Sequence, residues 1–385
     1  MRNLELRIVK HYYKISILIS QFLTSGLICC IMAFMPGICR AGEELRFQFR
    51  PGDKFSLILV TQINTTLPAS STENKSVSGG GIESLRDEPV EQTFRIRSDL
   101  DIEEVEPDGS AWAKYTYRQV SLKSKSRDSE VDYDSEDRRL MKDVEQDPLR
   151  EQSVIATVPL KVMPWVSVIN ESFYLRITPQ GQITNINGLA AVVGSAKSRV
   201  LNMSVRNQIL ESIEEQFTED NLKRSLENQI AVFPDPNKFG MGRVGIGDTW
   251  SRKQRENEDH ITIERTYKLM EYRDGVAVLD VNIIVASDAN AGPVSIDGMK
   301  AERELSGRGT GQIEIEQSSG QILNSTMARD LIERIKFLSE GAFRRSPSPP
   351  APARTHLETT FQMIRRGSDL SPPLPEVNQP APLDF

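Results

Sequence analysis

Catalysis draws on a short set of side chains, and this chain is poor in most of them. Only His260 and His356 occur beyond residue 41, and all three cysteines, Cys29, Cys30 and Cys39, precede it. That leaves no spacing for a zinc site or a Ser-His relay and no thiol nucleophile. No G-x-S-x-G, phosphate-binding glycine loop, dinucleotide fingerprint or H-E-x-x-H is present. Carboxylates are plentiful, and one arrangement recurs: Gly52-Asp53-Lys54-Phe55-Ser56 returns as Gly247-Asp248-Thr249-Trp250-Ser251. Asp53 and Asp248 could be read as an acid–base pair, yet each has an evident local role. Glycine permits positive φ, the Asp carboxylate accepts backbone N–H groups, and the aromatic that follows plugs the end of a core. We therefore read Gly52, Asp53, Phe55, Gly247, Asp248 and Trp250 as a structural motif. The expectation is of a protein that is not an enzyme and has no cofactor, metal or catalytic residue.

The elements that position this motif begin with the N-terminus. Arg2, Arg7, Lys10 and Lys14 precede an apolar run from Ile15, and "CRA" ends at Ala41 with small residues where a signal peptidase cuts. Residues 1–41 are expected to be a signal peptide, or alternatively an uncleaved anchor through residues 15–36, since about 20 apolar residues span a bilayer. Export places the chain in the periplasm, at the cell surface or outside the cell. Without residues 1–41 the chain has 42 basic against 53 acidic residues, net −11. That balance and the lack of a basic stripe exclude a nucleic-acid partner.

Residues 42–189 read as a first β-unit. "TFRIRSDLDIEEV" alternates apolar and polar residues, Asp108-Gly109 supplies a turn, and "AWAKYTYRQVSL" puts Ala111, Ala113, Tyr115 and Tyr117 on one face. Residues 68–92, rich in Ser and Gly, and residues 124–152, of mixed charge, read as disordered inserts. "VIATVPLKVM" reads as a strand, as does "SFYLRITPQGQITNI" around a Pro179-Gln180-Gly181 turn. Residues 190–236 change to helical spacing, with Thr218 or Asp220 as a cap and Pro234 and Pro236 as terminators. A second β-unit follows over 237–366, with a Pro-rich loop at 344–354 and a disordered Pro-rich tail at 367–385. In it, "MARDLIERIKFLSE" is ambiguous between helix and strand, and only the family resemblance given below favours strand.

The second unit echoes the first three times: in the Gly-Asp motif, in the Asp274-Gly275 hairpin, and in Gly320-Gln321-Ile322 against Gly181-Gln182-Ile183. The expected fold is α+β: internally duplicated, curved antiparallel β-sheets, half-barrel-like, with the helices between the two copies. The helical segment, a following "FP" element and "VGIGDTWS" resemble a family of uncharacterised exported bacterial proteins. Its members begin near F-x-x-G-x-x-[FW] and repeat Gly-Asp-x-Trp-Ser mid-chain. The resemblance spans Leu45 to Arg366 without the inserts. It implies a β-rich exported protein of unknown function and supplies no catalytic residue.

The functional expectation is an envelope protein that binds a lipid or other apolar ligand beneath its helices. A scaffold or adhesion role, using the acidic loops and proline-rich tail as spacers, is the alternative. An enzyme of unrecognised class ranks third.

Overall fold

Among the described residues, thirteen strands build the main sheet, and apolar side chains recur along much of their length at every second position, the period of a strand with one buried face. The structure, a computed structural model, describes residues 42–66, 89–126, 130–136, 158–159, 161–200, 206–239, 242–256, 261–288, 292, 294–296, 299–337 and 352–367. Residues 1–41, where a signal peptide is expected, most of both expected inserts, His260, most of the 344–354 loop and the tail beyond Gly367 lie outside these residues.

The first group of strands is β1 (Lys54–Thr66), β2 (Pro89–Val105), β3 (Ala111–Lys125), β4 (Glu130–Asp134), β5 (Ser172–Ile177) and β6 (Ile183–Asn187). The second is β7 (Thr249–Glu256), β8 (Ile261–Arg273), β9 (Val276–Ser287), β10 (Val294–Ile296), β11 (Met299–Glu316), β12 (Ile322–Phe337) and β13 (Ala353–Arg365). A short helix, α1 (Met163–Ser167), precedes β5. Three more, α2 (Leu189–Val200), α3 (Arg206–Gln216) and α4 (Glu219–Ile230), join the two groups.

The strands form one antiparallel sheet of 13, ordered β6-β5-β3-β2-β1-β13-β12-β11-β9-β8-β7, with β4 added beside β3 and β10 beside β11. Where separate sheets were expected, the last strand joins the halves: β13 pairs with β12 on one side and with β1 on the other, from Arg354↔Thr66 to Arg365↔Phe55. The physical reason is that β1 and β12 would otherwise each present a long open edge, and one added strand closes both.

Side chains from one face of this sheet and from the helices form a single core. Phe55, Leu100, Ala113, Phe173, Leu279 and Ile313 come from the strands, and Val192, Ile213, Leu222 and Ile230 from the helices. Tyr117 and Val120, three residues apart, both face inward because Arg118 is an extra residue in β3: Arg97 pairs with Gln119 but Ser98 pairs with Tyr117. Gly307, Gly309 and Gly311 share one face of β11 and let the backbone of β12 approach closely. A Cβ on Gly311 would lie 2.5 Å from the Thr326 carbonyl oxygen, and Gly307 and Gly309 meet Asp330 and Ala328 of β12 in the same way. Side chains there would force the strands apart.

Several boundaries differ from the expected ones. Pro89 to Gln92 belong to β2, and Glu130–Asp134 form β4 on the edge of β3 rather than loop, because Tyr133 is buried opposite Leu122. Met163, expected in a strand, begins α1 with proline at its first turn, a position where the missing N–H costs nothing. Ala353 and Arg354 already belong to β13. The ambiguous "MARDLIERIKF" stretch is strand, within β12. Thr218 is the cap of α4, its hydroxyl accepting from Asn221 N at 3.1 Å.

Candidate functional site

The two Gly-Asp motifs adopt the same local geometry. Gly52 and Gly247 have φ of +86° and +91°. Gly52 N donates to Ile102 O and Gly247 N to Leu269 O, while Ile102 N and Leu269 N donate back to Asp53 O and Asp248 O. Each Asp side chain accepts from the residue three before it: Asp53 Oδ2 from Arg50 N at 3.1 Å, Asp248 Oδ2 from Gly245 N at 2.8 Å. The aromatics that follow are buried, Phe55 at 3% exposure beneath the Arg365 guanidinium and Trp250 at 6% against Tyr267. The two aspartates are not brought together as a pair, since five strands separate β1 from β7. His356 stands partly exposed on β13, its Nδ1 2.8 Å from Asp330 Oδ1.

Among the described residues, two hollows against the helices stand out. The smaller, about 60 Å³, sits between β1–β3 and the helices and is lined by Leu57, Leu59, Ile96, Trp165, Leu222 and Leu226 among others. Its polar fringe includes Ser98, Tyr115 and Gln216. The Tyr115 hydroxyl donates to Ser98 Oγ at 2.9 Å, and burial pushes its pKa up to about 12. Burial also raises Tyr117, which meets Tyr115 edge to face.

The larger hollow is a groove of about 850 Å³ running along the edge strand β7, lined by every residue from Thr249 to Gln254. Its far wall is the end of α4, the Phe233–Phe239 segment, and Gln180 and Gln182 of the β5–β6 turn. The end of α4 thus spans the gap between the two open edges of the sheet. Glu227 Oε1 accepts from Ile183 N of β6 at 2.7 Å. On the other side Trp250 Nε1 donates to Val232 O at 2.8 Å, and Arg252 Nη2 donates to Phe233 O at 2.9 Å and to Gln180 O at 3.2 Å. Gly181, at φ +76°, is required here, because a Cβ would collide with the Ile230 carbonyl.

Arg265 of β8 is 6% exposed and pairs directly across from Arg252 on the same face. Desolvation lowers the Arg252 pKa, while Tyr267, Glu227 and Asp235 act against it. Sequence reasoning passed over both arginines. The available signal was their inward phase: Arg252 lies two residues from Trp250, and Arg265 lies between Ile263 and Tyr267.

A model of DUF6263, described as a family of unknown function, matches residues 108–322. No curated protein matches the chain. Among solved structures, an outer membrane channel from Pseudomonas putida F1 is 7% identical over 86% of this chain and 99% of its own, with a TM-score of 0.18. OccK5 of Pseudomonas aeruginosa is 6% identical over 81% of this chain and 98% of its own, with a TM-score of 0.19. Scores this low carry no inference about fold or function.

Proposed function

The chain belongs to DUF6263, and from that premise we propose that it is an exported envelope protein that shelters an apolar ligand between the inner face of its sheet and the helices α1, α3 and α4. The observation that carries this reading is the apolar seam at Leu57, Ile96, Trp165 and Leu226, where sheet and helices leave about 60 Å³ unfilled. Space of that size is about two water molecules' share of liquid volume, so an acyl chain enters only as the helices move off the sheet. The polar fringe of Ser98, Gln216, Ser225 and Gln229 gives one end of such a ligand hydrogen-bonding partners.

The same reading includes a duplicated architecture. Strands β1-β2-β3-β5-β6 and β7-β8-β9-β11-β12 follow one another in the same spatial order, each headed by a Gly-Asp turn with the same hydrogen bonds. On this view each copy is half of an incomplete barrel, β13 is the seam, and the helices between the copies are the cover. Residues 1–41 deliver the protein to the envelope, where binding, not catalysis, is its role.

Native mass spectrometry of protein purified from its own host, followed by lipid extraction, tests the proposal. A stoichiometric apolar adduct, lost when Trp165 and Leu226 are replaced by polar residues, supports it. Protein that is empty from the host and takes up no fatty acid or phospholipid in vitro sinks it and favours the scaffold role.

A further inference from the structure

The β7 groove carries an arrangement that packing alone does not ask for. Arg252 and Arg265 are directly opposed on neighbouring strands and both face inward. Like charges in that position destabilise a sheet, and each guanidinium also loses hydration there. Lys238 and Lys253 line the same groove, making four cations against two carboxylates among the described residues, in a chain whose net charge is −7. Both carboxylates are engaged by backbone: Glu227 by Ile183 N at 2.7 Å and Asp235 by Asn237 N at 3.0 Å.

Arg252 is held in a way that aims it. Its Nε and Nη2 donate to the carbonyls of Phe233 and Gln180, which fixes the plane of the guanidinium. Among the described residues, no carboxylate lies within ion-pair distance of it and its Nη1 makes no hydrogen bond. Neutral carbonyls orient the group without cancelling its charge, and a guanidinium so fixed recognises oxyanions well. Arg265 is held alongside, its Nη1 donating to Gln254 Oε1 at 3.3 Å.

We propose that this groove binds an oxyanion, a carboxylate or phosphate, between Arg252 and Arg265, with Lys238 and Lys253 drawing it in. The volume of about 850 Å³ exceeds what a lone anion fills, so the group can be free phosphate or the head of a larger amphiphile. The site stands on the groove alone and does not require an apolar ligand beneath the helices.

Calorimetric titration of the exported chain with inorganic phosphate, with dodecanoate and with uncharged dodecanol distinguishes the sources. Saturable binding of phosphate and dodecanoate, each weakened at least about tenfold by Arg265→Gln, marks an oxyanion site open to free anions. Binding of dodecanoate alone, with the same loss, marks a head-group site. Because Arg265 is buried, Arg252→Gln and Arg252→Lys are titrated as well: the first is expected to match Arg265→Gln and the second to fall between it and the parent. The proposal is overturned if neither anion binds at about 10 mM, or if binding is unchanged in arginine variants that keep the parent melting temperature. It is overturned also if dodecanol binds as tightly as dodecanoate, an outcome that leaves the apolar seam untouched.

Discussion

Replacing Gly311 by alanine sets two opposite effects against each other. In an ordinary strand the change stabilises by about 0.5–1 kcal/mol, because glycine loses more backbone freedom on folding than alanine does. At Gly311 the added methyl would sit 2.5 Å from the Thr326 carbonyl oxygen and 2.8 Å from Met327 Cγ. The Met327 side chain can turn away. The Thr326 carbonyl belongs to the β11–β12 ladder and moves only if β12 does. Forcing a methyl into a filled space costs about 1–3 kcal/mol, so the net expectation is a loss of up to about 2.5 kcal/mol. At about 2 °C per kcal/mol for a chain of this size, Gly311→Ala lowers the melting temperature by up to about 5 °C. Gly194→Ala is the matched control. Gly194 lies inside α2 with nothing within 4 Å of its Cβ position, so alanine there stabilises by about 0.8–1 kcal/mol. Thermal unfolding of both variants by circular dichroism reads the two signs. A Gly311→Ala variant that melts as high as Gly194→Ala would refute the link between the close approach of β12 and the bare glycine face of β11.

Three further outcomes are expected. Trp250→Ala removes a buried indole and its hydrogen bond to Val232 O, costing about 3–5 kcal/mol in urea denaturation; an unchanged midpoint would show that the Gly-Asp-x-Trp motif does not hold the core end. Thr218→Ala deletes the cap of α4 and costs about 1 kcal/mol, whereas Thr218→Ser keeps the hydroxyl and costs little. Burial raises the folded-state pKa of Tyr115 to about 12 and raises Tyr117 and Tyr267 too, so their contribution is fully present below pH about 10, the unfolded value, and is lost as pH rises toward 12. A pH titration of tyrosinate absorbance should show these groups ionising only as the protein unfolds; ionisation near pH 10 in folded protein contradicts their burial.

Strands were legible wherever one face met water. The β2–β3 hairpin follows from alternation and Asp108-Gly109, and the helices follow from their spacing and from Thr218. Non-local facts were not legible. Nothing in "HLETTFQMIRR" says that it pairs with a strand 290 residues earlier, because pairing depends on which edges are left open, a property of the assembled sheet. The short strand β4 was hidden in a charged run because only Tyr133 of its five residues is buried. Arg252 and Arg265 were overlooked for a related reason: a cation on an alternating strand is ordinarily assigned outward, and only the phase set by Trp250 and Tyr267 turns these two inward.

The pairing of β13 with β1 also bears on how the molecule comes to be folded. Thr65 and Thr355, whose hydroxyls lie 3.2 Å apart, are separated by 290 positions, so the contact that unites the halves is among the most distant in sequence that the chain can make. Local hairpins such as β2–β3 and β8–β9 can form as soon as their residues are available. The seam must wait for nearly the whole polypeptide, and its loop-closure entropy falls late in the reaction. Until then β1 and β12 are long unsatisfied edges on a half-built sheet, the kind of surface that recruits other chains. A chain cut before Ala353 is therefore expected to keep its hairpins yet aggregate, and chaperone dependence should concentrate in the interval before the final strand docks.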